Sequence, residues 1–137
     1  MRICNLSSGS DGNVTYIETA SAKILVDVGL SCREIENRLK FIGVDPKEIN
    51  TILITHEHSD HIKGLDVFVN KYSPKVYVHY KGISSVYSKM KKARRSNFYE
   101  FSDNDFCIGQ TIVSNVCLPH DSAYCSGYII SENQRKL

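Results

Sequence analysis

The chain has 137 residues, of which 42% are hydrophobic and 23% charged, with three prolines and eight glycines. That balance is the one expected of an ordinary globular domain and argues against disorder; the length suits a single domain over 1–137 that buries roughly two-thirds of its unfolded surface. No apolar run approaches the roughly 20 residues needed to span a bilayer, and the start "MRICNLSSGS" has no signal-peptide h-region, so no membrane partner and a cytoplasmic location are expected.

The net charge of +2 conceals an asymmetry: residues 1–70 carry 7 Lys/Arg against 10 Asp/Glu, and residues 71–137 carry 10 against 5. The basic excess centres on "KMKKARR", with Lys89, Lys91, Lys92, Arg94 and Arg95. Such a run is either a solvated surface or a contact for a polyanion. The five cysteines, at 4, 32, 107, 117 and 125, form no C-x-x-C pair and read as reduced, mostly buried small hydrophobes.

In chain order, "RICNL", "VTYIET" and "KILVDVG" read as three strands of a meander, the first two separated by the turn signal "SSGSDGN". "SCREIENRLKFIG" carries a capping box from Ser31 to Glu34, apolar Ile35, Leu39 and Ile42 at helical spacing, and Gly43 as its stop. Asp45 and Pro46 start a single helical turn before "TILIT", an apolar run expected of a strand covered on both faces. Leu65, Phe68, Val69 and Tyr72 mark one face of a helix; "KVYVH" is the next strand, followed by a helix from Gly82 towards Met90. "NFYEF" and "TIVSNVCL" read as strands flanking a turn at "SDNDFCIGQ", and "SGYIIS" as the last strand. Strands alternating with helices after a meander predict α/β architecture with a mixed sheet packed on helices.

Chemistry concentrates in "THEHSDHIKG", directly beyond "ILI". His56 and His58, then Asp60 and His61 about one turn later, are four candidate ligands in six residues, aimed from a strand end and a helix start. Neutral imidazole and carboxylate are good donors for zinc and similar divalent ions, and burying several of them together without a cation is costly. Glu57 reads as a surface or supporting carboxylate, and His79 as a partly buried histidine.

At these residues the sequence resembles the metallo-β-lactamase fold superfamily. "THEHSDHIKG" carries its H-x-H-x-D-H motif, "LVDVG" is similar to the preceding D-x-G, and "LPHD" to a later isolated histidine. Within the superfamily the likeness is to the WalJ/YycJ-like group of DNA exonucleases, through "SSGSDGNVTYIET", "GVDPKEINTILITHEHSDHIKGL" and "PHDSAYCSGYII". The resemblance implies a mixed β-sheet with helices on one side, as the N-terminal half of an αββα sandwich. It also implies two divalent ions, Zn or Mn. His56, His58 and His120 would hold the first, Asp60 and His61 would contribute to the second with Asp60 in the catalytic centre, and Asp27 would orient the motif by hydrogen bonding.

The family also uses a bridging aspartate on a later strand and a further histidine, which have no counterpart up to "ENQRKL"; Asp103 and Asp121 do not match the bridging position. The chain is therefore expected to be the N-terminal part of a longer protein, or a half-fold that covers its exposed apolar faces by pairing with a second copy. For the full-length protein the implied activity is a metal-dependent hydrolase, most directly a phosphodiesterase acting on DNA through a metal-activated water. In this chain the second metal site is expected to be incomplete, and turnover stays open. Two alternatives stay open: a thioester or lactone hydrolase of the same fold, and a metal-binding fragment without turnover. Lys89, Lys91, Lys92, Arg94 and Arg95 would meet DNA phosphates, and the Ser7 to Ser10 loop is either a hairpin turn or a phosphate approach.

Overall fold

The computed structural model describes residues 1–119, 121 and 124–137. Strands β1 (Arg2–Ser7), β2 (Val14–Glu18) and β3 (Lys23–Val26) form the antiparallel meander expected from the sequence. From there β3 pairs in parallel with β4 (Thr51–Leu53), β4 with β5 (Lys75–His79) and β5 with β6 (Phe98–Phe101), giving one six-stranded mixed sheet in sequential order. Each parallel step requires a crossover, and these carry α1 (Cys32–Phe41), then α2 (Ser59–Ile62) with α3 (Leu65–Tyr72), then α4 (Ile83–Tyr87).

α1 begins where the Ser31 hydroxyl accepts the Glu34 N–H at 3.3 Å, and ends at Gly43, whose φ of +80° suits a residue without Cβ. Its apolar stripe of Cys32, Ile35 and Leu39 joins the main core. The strands divide their side chains by alternation: Tyr16, Leu25, Ile52, Ile54, Val76 and Val78 face the helices, whereas Ile17, Ile24, Leu53 and Tyr77 face away from them. β4 is buried throughout because both of these faces are covered.

What covers the second face is a separate sheet. β7 (Phe106–Ile108), β8 (Thr111–Cys117), β9 (Ser126–Glu132) and β10 (Arg135–Lys136) pair antiparallel in the order β10-β9-β8-β7. Val113, Ile130, Phe106, Ile108 and Tyr128 pack against Ile17, Ile24 and Leu53. The sheets are also tied by polar groups. Glu132 accepts the Ala20 N–H at 2.8 Å and the hydroxyls of Thr111 and Ser21 at 3.0 and 3.1 Å.

Three layers result: helices, mixed sheet, antiparallel sheet. The helices lie on one side of the mixed sheet, as expected, but that sheet is not left bare on the other. The exposed apolar residues of this region, Ile112 and Val116, lie on the outer face of the second sheet. The segment "SDNDFCIGQ" contains β7 as well as a turn. Of the cysteines, Cys32 and Cys125 are buried, Cys4 is half-buried, and Cys107 and Cys117 are exposed, so the expected burial of most of them is corrected. Among the described residues no helix is long and apolar enough to cross a membrane.

Candidate metal centre

Three segments distant in sequence meet where the parallel strands end: the turn after β3, the loop after β4, and the turn entering β2. Their backbones interlock. The Asp27 N–H donates to Leu53 O at 2.9 Å, Val28 N–H to His61 O at 2.8 Å, Gly29 N–H to Asn13 O at 3.0 Å and Asn13 N–H to Asp60 O at 2.8 Å. The approach is so close that a Cβ on Gly29 would lie 1.8 Å from Asp60 O and 2.5 Å from Asn13 N. The glycine of "LVDVG" is thus required by contact. Asp27 itself sits at φ +63°, a conformation that aspartate tolerates better than most residues.

Asp27 is 3% exposed and accepts three hydrogen bonds: from Thr55 N–H at 2.8 Å, Thr55 Oγ1 at 2.8 Å and His61 Nδ1 at 2.6 Å. Burial pushes its carboxyl up, and the His61 and Thr55 donors oppose that shift. For His61 burial favours the neutral ring, but the bond to Asp27 and its charge outweigh burial and raise the imidazole above its usual value. The two shifts describe one paired proton, which we assign to Nδ1 of His61 because three donors converge on the carboxylate.

The Thr55 hydroxyl sets a second tautomer. Its single hydrogen goes to Asp27, so towards His56 Nδ1 at 2.9 Å it acts as acceptor, and Nδ1 of His56 carries the proton. Both rings therefore hold their lone pair on Nε2, the state suited to a cation. His56 is centred 4.0 Å from the His61 ring and 4.7 Å from that of His58. Cys125 Sγ lies 3.7 Å from His56 Nδ1, and burial raises this thiol. His58 Nε2 lies 3.7 Å from Asp121 Oδ1.

Asp60 Oδ2 lies 3.6 Å from His61 Nε2. Two ligands of a tetrahedral ion with bonds of ~2.1 Å stand ~3.4 Å apart, so this pair fits a shared divalent cation. Among the described residues no three His, Cys, Asp or Glu side chains are closed around a single point. His120, expected to complete the first set, lies outside the described residues.

The basic run is split. Asp66 accepts the backbone N–H groups of Lys91, Lys92 and Ala93, each at 2.9 Å, which anchors that stretch to the start of α3, and Lys89 Nζ donates to Glu57 O at 2.7 Å within the histidine motif. Arg94 instead lines a cavity of about 390 Å³ with Val69, Asn70 and Ser73, towards the far end of α3. Arg95 donates to Phe98 O at 2.7 Å and lies over the Tyr87 ring. In the Ser7 to Ser10 loop, Ser7 Oγ donates to Gly12 O at 2.9 Å, and residues 8–10 are exposed.

Thr55 and Asn13 were not singled out by sequence reasoning. Thr55 carries no motif signal beyond preceding His56, and Asn13 lies inside a turn signal 47 residues from its partner Asp60. His79 is fully buried, accepts the Lys81 N–H at Nδ1, donates from Nε2 to Asp103 at 2.8 Å, and stacks on Tyr124 with centroids 3.6 Å apart.

Residues 8–108 match the family model described as the Metallo-beta-lactamase superfamily. The chain is 37% identical over 133 residues to "Exodeoxyribonuclease YycJ" of Bacillus anthracis, a match covering 96% of this chain and 50% of that protein. It is 49% identical over 76 residues to "Exodeoxyribonuclease WalJ" of Streptococcus pneumoniae serotype 2, covering 56% of this chain and 28% of the relative. The chain thus spans at most about half the length of these curated relatives. Among solved structures, the metallo-beta-lactamase GOB-18 from Elizabethkingia meningoseptica matches with a TM-score of 0.74 at 19% identity, over 92% of this chain and 53% of that one. The class B3 di-zinc metallo-beta-lactamase LRA-12 from an Alaskan soil metagenome matches with a TM-score of 0.72 at 17% identity, over 92% and 55%. At these identities the likeness is one of fold.

Proposed function

Because the chain belongs to the metallo-β-lactamase superfamily, we propose that it carries the metal-binding edge of a hydrolase that cleaves phosphodiester bonds in DNA. The observation that carries the reading is the Asp27–Thr55 network. Thr55 Oγ1 donates to Asp27 and accepts from His56 Nδ1, and Asp27 accepts from His61 Nδ1, which leaves Nε2 of both rings as lone-pair donors, that of His61 beside Asp60. His56 and His58 with His120 are the ligands of one ion, and Asp60 with His61 those of the second, with Zn or Mn as the candidate metals.

When bound, such ions supply Lewis acidity, lowering the pKa of water and stabilising negative charge on phosphoryl oxygens. The chain's own residues do the rest. Asp27 keeps the His61 proton on Nδ1, and Thr55 keeps that of His56 there. The interlocked backbones of Gly29, Asn13 and Asp60 hold the segments that carry these side chains together. Lys89 supplies positive charge next to the motif for the DNA backbone, with Lys91 and Lys92 following it in the stretch anchored on Asp66, which supports DNA over an uncharged ester as substrate.

The test is metal analysis together with cleavage of end-labelled duplex DNA in Mn²⁺, with thioester and lactone substrates in parallel. Two bound ions with DNA cleavage are expected of the full-length protein. Hydrolysis confined to thioesters or lactones would replace the nuclease reading, and one tight ion with no turnover on any substrate would leave a metal-binding fragment.

A further inference from the structure

Asp60 lies in α2, a helix of only four residues, and a single helical turn is too short to order itself. No side chain caps it: His58 occupies the N-cap position without a capping hydrogen bond. The backbone of Asp60 is instead held from outside. The Asn13 N–H reaches Asp60 O at 2.8 Å and Asn13 Nδ2 reaches the same carbonyl at 3.2 Å.

The amide does more than hold a carbonyl. Nδ2 carries two hydrogens and has four acceptors in range: Gly9 O at 2.9 Å, Asp60 O at 3.2 Å, Asp60 Oδ2 at 3.3 Å and His61 Nε2 at 3.3 Å. Gly9 O, the nearest, takes one hydrogen. The other is shared among Asp60 O, the Asp60 carboxylate and the His61 lone pair, so the two side-chain acceptors remain under-supplied and face the same point. On the opposite side Asn13 Oδ1 accepts the Gly9 N–H at 3.1 Å, which fixes the amide's orientation.

We propose that Asn13 is a positioning residue for the second cation: its amide ties the turn before β2 to Asp60 and aims the Asp60 carboxylate and His61 Nε2 at one point. The inference rests on the reading of Asp60 and His61 as ligands. A cation that takes the lone pairs of Asp60 Oδ2 and His61 Nε2 leaves the shared hydrogen with Asp60 O, so Asn13 holds the helix turn in both states.

The experiment is Mn²⁺ titration followed by electron paramagnetic resonance of the free ion, with thermal melts in EDTA. It compares wild type with Asp60→Ala, Asn13→Ala and Ser7→Ala. Ser7 Oγ donates to Gly12 O at 2.9 Å within the same turn, so alanine there loosens the turn without touching the Asn13 amide or Asp60. Asp60→Ala is expected to lose the weaker ion. Asn13→Ala is expected to bind that ion about tenfold more weakly with the tighter ion unchanged. Ser7→Ala is expected to melt lower in EDTA yet bind both ions as wild type does.

If Asp60→Ala loses the ion while Asn13→Ala binds it at wild-type affinity, the role of Asn13 is overturned and the ligand reading stands. If Ser7→Ala weakens the ion as much as Asn13→Ala, the turn and not the amide is responsible, which also overturns it. Wild-type binding by Asp60→Ala defeats the ligand reading and this inference with it. Should Asn13→Ala fail to melt cooperatively, Asn13→Ser takes its place, retaining an acceptor for the Gly9 N–H while its shorter side chain withdraws the donor from Asp60 and His61.

Discussion

Asp27 Oδ2 stands 2.6 Å from His61 Nδ1 at the floor of the histidine cluster, and that one contact decides which ring nitrogen faces the solvent edge. Asp27→Asn turns the relationship round at nearly constant shape. The amide group brought opposite Nδ1 favours the tautomer with its proton on Nε2, which then has no lone pair for a cation. Metal affinity is expected to fall by about 10–100-fold. Nitrogen chemical shifts of His61 in the metal-free protein should show the proton moving from Nδ1 to Nε2. Unchanged shifts and unchanged affinity would remove Asp27 from this role.

Gly29→Ala is expected to be severe. Its Cβ would fall 1.8 Å from a backbone carbonyl, which cannot rotate aside as a side chain can. The segments entering β2 and α2 must then separate, at a cost of at least about 3 kcal/mol, beyond ordinary overpacking. Urea denaturation in EDTA measures this without the contribution of metal. A destabilisation below about 1 kcal/mol, the level of a tolerated volume change, would show the crossing to be looser than described.

Acid stability should depend on Glu132. The Ala20 N–H, followed by the hydroxyls of Thr111 and Ser21, holds its carboxyl below the usual glutamate value against the effect of burial. A carboxyl depressed on folding stabilises fully above its unfolded pKa, and that contribution is lost as pH falls through the folded one. Between neutral pH and the usual glutamate range of about 4.3 it is intact, and it disappears below that range. Glu132→Gln should lower the melting temperature near pH 7 and flatten its decline on acidification. A parallel curve for the variant would exclude this carboxylate.

Replacing Lys89, Lys91 and Lys92 together by alanine should weaken duplex DNA binding for all sequences alike. It should also reduce the dependence of log affinity on log salt by ~0.9 for each phosphate that these lysines no longer neutralise. Arg94→Ala, at the far end of α3, should change that slope little. Fluorescence anisotropy over a series of salt concentrations separates the two sets. Equal effects from both would mean that the nucleic acid crosses the helical face instead of following the histidine edge.

The parts legible in the sequence were those with local causes. α1 announces itself through Ser31 and Gly43, and the ligand motif packs His56, His58, Asp60 and His61 into six residues next to an apolar strand. β7 did not, because "FCI" is three residues long and sits between Asn104 and Gly109, where turn signals dominate. The second sheet was underestimated for a related reason: β8 and β9 read correctly as strands and the two-residue β10 did not, but nothing local says that β8 and β9 leave the first sheet and pack across it. Thr55 and Asn13 acquire their roles only through tertiary structure, Thr55 with Asp27 at a separation of 28 residues and Asn13 with Asp60 at 47.

Those separations bear on how the protein gains its stability. The unfolded chain cannot preform a pocket whose parts meet only after β2, β3 and β4 have paired, so a divalent ion has far greater affinity for the native state than for the denatured one. By mass action an ion at 100 times its dissociation constant adds about 2.7 kcal/mol to the free energy of unfolding. If the proposed ligands hold a cation, the crossing of Asn13, Gly29 and Asp60 makes it a thermodynamic clamp on the whole sheet, and chelation a means of loosening residues far from the histidines.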